Sequence, residues 1–283
     1  MTLDLKALKR EVRRSGVKPT RLLEIAALDP QLSRFVGSVP SAPAAVLATL
    51  SQSADIPTRR AVASNPVASA SILDDLARDH SLQVLKAVAM NPNTSSDTID
   101  ALVNHSQPTV RAATLRYSPR PPGLLERLTN DPHPGVRMEV AGDAYLTPAQ
   151  LLVFLSDSNP KVRERALING KCDDAHRVNA LRDNDTQVRF SALNFLSLGR
   201  KTSLGLMERA GRSRASLTLQ VIEALSRDES PHMRARFAFY LRTGEYDNDI
   251  EPSEKIEIAR RLRSDTSADA RTQAQAILEG AHP

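Results

Sequence analysis

The sequence is poor in the residues that usually fill a compact core. It has no Trp, and aromatic residues make up only 4% of its 283 residues. Hydrophobic residues still account for 41% and charged residues for 25%, which is typical of a folded soluble protein. Large aromatic rings normally bury much of a globular core, so their scarcity favours many thin layers of aliphatic side chains.

Other features are also missing from the chain. Cys172 is its only cysteine, which excludes an internal disulfide and a multi-cysteine metal site and indicates a reducing compartment. The first residues lack the apolar core of a signal peptide, and no apolar run approaches the length of a membrane span. The sequence therefore predicts a cytoplasmic protein with no membrane partner.

Known signatures of catalysis are absent as well. The chain contains no HExxH, CxxC or GxSxG motif and no glycine-rich phosphate loop. His80, His105 and His133 fall in successive predicted turns, which should lie about 8–10 Å apart. That separation is too large for one zinc ion, whose bonds to nitrogen are about 2 Å long. We expect no enzymatic activity, no cofactor and no metal site.

A period of 26 residues organises most of the chain. Apolar or small residues recur four and five positions after the first residue of each period, which predicts a helix. A second apolar pair at positions 15 and 18, such as Leu125 and Leu128, predicts a second helix. The first residues of successive periods are Leu32, Thr58, Val84, Val110, Val136, Val162 and Val188.

The ends of these helices also leave signals in the sequence. The Asn–Pro pairs in "SNP" and "MNP" predict the end of a first helix, because a residue before Pro is pushed out of the α region and Asn tolerates a left-handed end. Thr147 and Gln150 predict a capping box at the start of a second helix.

A helix this short can bury its apolar stripe only by packing against the next unit. The sequence therefore predicts an all-α fold, an α-solenoid of short helix pairs. Basic capping helices are predicted over residues 1–31 and the regular solenoid over residues 32–200. Residues 201–283 are predicted to form irregular helical repeats and a C-terminal cap.

The stretches "RRAVASNP", "LKAVAMNP" and "VRMEVAGD" resemble the leucine-rich repeat variant family and, more distantly, HEAT repeats. The resemblance covers about residues 32–200 and is most specific over residues 55–140. It implies a right-handed superhelix in which α-helices alternate with shorter, often 3₁₀, helices. Some members carry a cysteine-rich cluster domain, and its iron–sulfur role is not carried over to a chain with one cysteine.

Arginines follow the first position of most periods and form a column that includes Arg59 and Arg111. Aspartates precede three of these arginines by six residues, at the predicted turns between units. The column either binds phosphates of a ligand or joins neighbouring layers in an Asp–Arg ladder, and the ladder is the favoured interpretation. The predicted ladder consists of Asp131, Arg137, Asp157, Arg163, Asp183 and Arg189.

Residues 1–21 carry the whole net charge of +5. Leu5, Leu8 and Val12 follow helical spacing, which predicts a helix over residues 3–14 with one narrow apolar face. Its cations either contact nucleic acid or an acidic partner, or only solubilise a cap. The candidate contacts are Lys6, Lys9, Arg10, Arg13 and Arg14.

A second basic segment follows the regular repeats and is interrupted by three glycines. Insertions in solenoids often lie on the binding face. Aromatic residues follow it, and we expect Phe237 and Tyr240 to pack in the core rather than to stack on bases. The candidate partner contacts in the basic segment are Arg200, Lys201, Arg209, Arg212 and Arg214.

Two functions fit these observations. The leading hypothesis is a non-enzymatic scaffold that binds a protein or peptide partner on the solenoid surface. The alternative is a nucleic-acid-binding protein, because some HEAT-like solenoids that resemble this architecture are alkylpurine DNA glycosylases. Those enzymes use Trp-lined pockets around a catalytic Asp, and a chain without Trp does not match that pattern. The alternative hypothesis is therefore a non-catalytic DNA-binding protein.

Overall fold

A computed structural model describes residues 4–117, 120–202, 219–244 and 250–280, with the backbone alone at residues 197–202, 219 and 220. Over these ranges all regular secondary structure is helical. The chain divides into two compact units, unit 1 at residues 1–140 and unit 2 at residues 141–283. Each unit is a stack of helix pairs, and the fold is an all-α solenoid.

Unit 1 begins with two helices that precede the regular layers, α1 (Leu5–Val12) and α2 (Pro19–Leu28). In each layer after them a first helix is followed by a second helix, and consecutive first helices from α3 to α9 contact one another. The first helices are α3 (Pro30–Ser38), α5 (Ile56–Ala63), α7 (Leu82–Met90), α9 (Pro108–Ala113) and α11 (Pro134–Ala141). The second helices are α4 (Ala44–Ser51), α6 (Ala70–Leu76), α8 (Ser96–Val103) and α10 (Leu124–Thr129).

Unit 2 repeats this arrangement with longer helices towards its C-terminal end. Its first helices also contact one another in chain order. They are α13 (Pro160–Leu167), α15 (Thr186–Thr202), α17 (Pro231–Arg242) and α19 (Ala268–Gly280). The second helices are α12 (Pro148–Leu155), α14 (Asp174–Ala180), α16 (Leu219–Ser226) and α18 (Pro252–Leu262).

The 26-residue period is confirmed as the length of one layer. The seven first helices from α3 to α15 begin at residues 30, 56, 82, 108, 134, 160 and 186. The side chains at the first position of each period are all buried. A fully buried Val or Leu contributes about 1.5–3 kcal/mol through apolar burial, so this column is a main source of stability in each unit.

Proline and capping side chains fix where many helices begin. Proline is the first residue of α3, α9, α11 and α13, where its missing N–H costs no hydrogen bond. The predicted capping box is confirmed, because the Gln150 amide donates to Thr147 Oγ1 over 3.2 Å and the Thr147 amide donates to Gln150 Oε1 over 2.9 Å.

Two local expectations differ from the structure. The second helices are α-helical, and over the described ranges the 3₁₀ segment is Thr114–Arg116, directly after α9. Helix α10 buries Leu124 and Leu128 fully, whereas the spacing predicted Leu125 and Leu128. Leu124 and Leu128, four residues apart, face the core because the helix starts directly after Gly123, whose φ of 76° is left-handed.

Candidate functional site

Arginines in the first turn of the first helices pair with aspartates in the turns between layers, and we call this surface the turn edge. Arg111 donates from Nε and Nη2 to the Asp131 carboxylate, both over 2.7 Å, and from Nη1 to the carbonyl oxygen of His105 over 2.8 Å. Arg59 makes the same fork to Asp79, with Nε 2.5 Å from Oδ2 and Nη2 3.1 Å from Oδ1. One guanidinium therefore binds two successive turns.

The turn edge of unit 2 has the same chemistry at more variable spacing. The Arg163–Asp183 pair is 20 residues apart, like the two pairs of unit 1. Two wider pairs follow, Arg189–Asp228 at 39 residues and Arg234–Asp265 at 31 residues. The pairing is thus retained where the 26-residue period is lost.

An aspartate six residues before an arginine contacts that arginine through its backbone carbonyl oxygen. The carbonyl oxygens of Asp131, Asp157 and Asp183 accept from Nη1 of Arg137, Arg163 and Arg189 over 2.8, 2.8 and 2.9 Å. The carboxylate of Asp183 binds the arginine 20 residues before it and also accepts from the amide of Asp185 over 2.8 Å. Asp131 and Asp183 therefore each join two layers through separate groups, the carboxylate and the carbonyl oxygen.

The paired side chains are shielded from water. The side chain of Asp131 is 4% exposed and that of Arg111 is 12% exposed. Burial alone would raise the pKa of Asp131, but hydrogen bonds from Arg111 and the amide of His133 outweigh it, so the pKa lies below its usual value. The same bond raises the pKa of Arg111, so both groups stay charged at neutral pH.

The layer of α7 lacks this pair, and both of its members are replaced there. Leu85 occupies the arginine position and is buried, and His105 occupies the aspartate position 20 residues later. His105 Nδ1 accepts from the amide of Gln107 over 3.0 Å, so it replaces the turn-capping bond of an Asp. Both charges are replaced together, which avoids an unpaired buried ion.

Asparagine amides form a second set of bonds between layers. Asn91 donates from Nδ2 to the carbonyl oxygens of Ala63 and Asn65, 2.7 and 2.9 Å away, and its Oδ1 accepts from the amide of Asn93. Asn65 and Asn169 make equivalent bonds.

Asn91 leaves the α region before Pro92, as predicted, but it does not adopt a left-handed conformation. Asn91 has φ −80° and ψ 127°, and over the described ranges positive φ occurs only at glycine. The extended backbone of Asn91 places its side-chain amide within hydrogen-bonding distance of the preceding layer.

The outward face of the first helices in unit 1 forms an open groove. Two clefts of about 490 and 500 Å³, the first bordered by α3 and α5 and the second by α9 and α11, both border Lys86 and Met90 on α7, and together we call them the groove of unit 1. Met90 is 50% exposed there. The floor is made of small side chains, which are Ala61, Ala87, Ala112, Ala113 and Gly135.

Three cations line this groove. Arg60 lies on α5, Lys86 on α7 and Arg116 in the 3₁₀ turn after α9, one in each of three successive layers. None of the three side chains has an ion pair or a side-chain hydrogen bond in the part of the chain that the structure describes. Glu139 is the carboxylate that lines the groove at its α11 end.

The matching face of unit 2 contains polar side chains that bind one another. Glu164 Oε1 accepts from the Ser191 hydroxyl over 2.6 Å and from Gln187 Nε2 over 3.2 Å. Asn194 Oδ1 accepts from Arg236 Nε over 2.9 Å and from the Tyr240 hydroxyl over 2.8 Å. Much of the hydrogen-bonding capacity of this face is used inside the unit.

The basic helix α1 is docked on unit 1. Val12 is buried, and Leu5 and Leu8 pack against the core of this unit. Lys9 and Arg13 lie over the ring of Phe35, 5.6 and 5.1 Å from its centroid, where a cation is attracted to the ring face. The other three candidate cations of this helix, Lys6, Arg10 and Arg14, are exposed.

The second basic segment falls mostly outside the described residues. Arg200 and Lys201 belong to α15, whose backbone alone is described at this end, and Arg209, Arg212 and Arg214 lie outside the described residues. The core-packing prediction for Phe237 and Tyr240 is confirmed, because both are buried.

Chemically reactive groups are few. Cys172 is buried, and burial raises the pKa of its thiol to about 11, which keeps it protonated at neutral pH. In the described ranges no His, Cys, Asp and Glu side chains form a group of three or more able to hold a metal ion. None of the described helices has the length and apolar character to cross a membrane.

Comparisons with known proteins add no family. No family model matches the chain, and no curated protein matches it. Among solved structures it is similar to a designed armadillo repeat protein in complex with the peptide (KR)4, with 16% identity over 99% of this chain and 100% of that chain and a TM-score of 0.32. It is also similar to an engineered protein, with 15% identity over 98% of this chain and 96% of that chain and a TM-score of 0.29.

Proposed function

We propose that this protein is a non-enzymatic repeat scaffold that binds an extended segment of a protein or peptide along the groove of unit 1. The observation that carries the proposal is the run of three cations that have no ion pair among the described residues and lie over a floor of small side chains. A surface of this kind offers a partner space and charge.

The dimensions of the stack favour an extended partner. Packed helices lie about 8–10 Å apart, and an extended chain advances about 3.3 Å per residue, so about three partner residues pass each layer. Gln83, Ser64 and Thr109 line the clefts and supply hydrogen-bonding groups for a partner backbone. Met90 and Met138 supply flexible apolar surface that adapts to different side chains.

A groove-blocking experiment tests this function. Binders selected from a phage-displayed library of random twelve-residue peptides are measured on the parent protein and on Ala61→Gln/Ala87→Gln, which raises two long side chains from the floor. We expect affinity to fall at least tenfold, while Ala101→Gln on the exposed face of α8 leaves it unchanged. A library that yields no binder, or binders insensitive to the floor substitutions, would contradict the proposal.

The second candidate function, nucleic-acid binding, is supported by the exposed cations Lys6, Arg10 and Arg14 of α1. Single-stranded and duplex oligonucleotides titrated at two salt concentrations test it, because phosphate contacts weaken steeply with salt. The variant Lys6→Gln/Arg10→Gln/Arg14→Gln should abolish such binding without uncovering the core. Equal binding by this variant, or no binding at low salt, would remove this candidate.

A further inference from the structure

We propose that the groove of unit 1 recognises an acidic segment in an extended conformation, with carboxylates that meet Arg60, Lys86 and Arg116. This inference rests on the proposed scaffold function and names the chemistry of the partner. Its basis is charge complementarity, because the groove offers, in each of three successive layers, one cation without an ion pair to any described residue.

The carboxylates at the turns before these helices already have partners. Asp55, at the start of α5, binds Arg34, Thr58 Oγ1 and the Thr58 amide. Asp79, before α7, binds Arg59, and Asp131 binds Arg111. The turn-edge carboxylates therefore do not cancel the charge of the three groove cations, and Glu139, at the α11 end, is the carboxylate that lines the groove itself.

The spacing of the layers sets the spacing of the carboxylates. A step of about 8–10 Å between helices corresponds to about three residues of an extended chain. A segment with an acidic residue at every third position therefore presents its carboxylates to Arg60, Lys86 and Arg116 in turn. The intervening residues lie over Ala61, Ala87 and neighbouring small side chains, which leave room for short side chains.

The lining of the groove favours a peptide over a nucleic acid. Single-stranded nucleic acid binding relies on aromatic side chains on which bases stack. Among the described residues, neither cleft is lined by Phe, Tyr or Trp, His133 is the one aromatic ring at the α11 end, and Met90 and the alanines provide aliphatic surface instead. Carboxylates held by Arg and Lys above an aliphatic floor are the better match.

Labelled twelve-residue peptides test the inference by fluorescence anisotropy. The first has Glu at every third position with Ser and Ala between, the second has Gln and the third Lys at those positions, and the fourth has the same composition as the first with its Glu residues adjacent. We expect the spaced Glu peptide to bind about tenfold more tightly than the Gln peptide, since three exposed ion pairs contribute modestly each. The Lys peptide should bind most weakly, the adjacent-Glu peptide more weakly than the spaced one, and salt should reduce the preference for Glu.

Matched variants locate the interaction. Arg60→Gln/Lys86→Gln/Arg116→Gln should remove the preference for Glu over Gln. Arg10→Gln/Lys18→Gln/Arg78→Gln removes the same charge from exposed positions outside the groove and should keep it. Circular dichroism and thermal unfolding of both variants establish that they are folded.

The outcomes separate the inference from the proposed function. If the Glu and Gln peptides bind equally well and both lose affinity for Ala61→Gln/Ala87→Gln, the inference of an acidic partner is wrong and the scaffold function still holds. The inference is also wrong if the control variant loses the preference for Glu over Gln to the same extent as the groove variant. It is equally wrong if a twelve-nucleotide oligo(dT) displaces the Glu peptide from the groove at a lower concentration than unlabelled peptide does. A dimer that dissociates in the groove variant would identify a second copy as the occupant.

Discussion

Arg59 and Arg60 are neighbours in the sequence and belong to two different surfaces. Arg59 is fixed at the turn edge, where its guanidinium binds the Asp79 carboxylate and the carbonyl oxygen of Ser53. Arg60 points into the groove and has no ion pair or side-chain hydrogen bond in the described part of the chain. The first arginine joins layers, and the second is free to meet a partner.

The difference lies in the position of a carboxylate rather than in the arginine. An Asp placed 20 residues later, at the next turn, makes an arginine structural, as in the Arg111–Asp131 and Arg163–Asp183 pairs. Where no carboxylate reaches the side chain, as at Lys86 and Arg116, the same charge remains available. A count of basic residues along a repeat therefore does not measure its capacity to bind an acidic ligand.

Breaking a turn-edge pair should have the largest effect. Arg111→Ala leaves the Asp131 carboxylate buried without its partner, and we expect a loss of about 3–5 kcal/mol in the free energy of unfolding, measured with urea. The double variant Arg111→Leu/Asp131→His copies the residues of the Leu85–His105 layer and should recover most of that loss. A double variant less stable than Arg111→Ala would contradict the pairing rule.

Removing an interlayer amide should cost less. Asn91→Ala deletes two hydrogen bonds to carbonyl oxygens of the preceding layer, and we expect a loss of about 2 kcal/mol in the free energy of unfolding. Asn104→Ala, at an exposed position after α8, is the matched control and should change stability by less than about 0.5 kcal/mol. Equal losses in the two variants would show that the amide does not join layers.

The charge of the turn edge should also appear in the pH dependence of stability. The folded-state pKa of Asp131 is lowered below the unfolded value of about 3.9, so its contribution is complete above that pH and is lost as pH falls through the folded pKa. Asp131→Asn lacks the titrating group. The stability difference between the parent protein and this variant should be largest at neutral pH and shrink at acidic pH, and a constant difference would contradict the assignment.

The groove variant should have the smallest effect on stability. Arg60→Gln/Lys86→Gln/Arg116→Gln alters side chains that bond to nothing in the described structure, so its free energy of unfolding should stay within about 0.5 kcal/mol of the parent value. A large loss in urea unfolding would show that these cations support the fold.

The fold was largely predictable from the sequence because it rests on one local period. The column from Val84 to Val188 marks the layers directly, since each valine lies at the same point of a first helix. The role of Asn was not predictable from the Asn–Pro pair, because the acceptors of Asn91 lie 26 and 28 residues earlier in the chain.

The partners of the arginines were visible in principle. The 20-residue spacing from Arg to Asp recurs, and the joint replacement of both by Leu85 and His105 is a sequence signal for the pairing. The groove cations left no such signal, because Arg60 and Lys86 occupy one position of the repeat and Arg116 another. Only the packing of the layers brings them to one face.

The most direct test compares urea unfolding of Arg59→Gln and Arg60→Gln, which make the same chemical change at adjacent residues. We expect Arg59→Gln to lower the free energy of unfolding by about 3 kcal/mol or more, because Asp79 stays buried and unpaired, and Arg60→Gln to change it by less than about 0.5 kcal/mol. Equal losses, or a larger loss for Arg60→Gln, would contradict the division between a structural turn edge and a free groove.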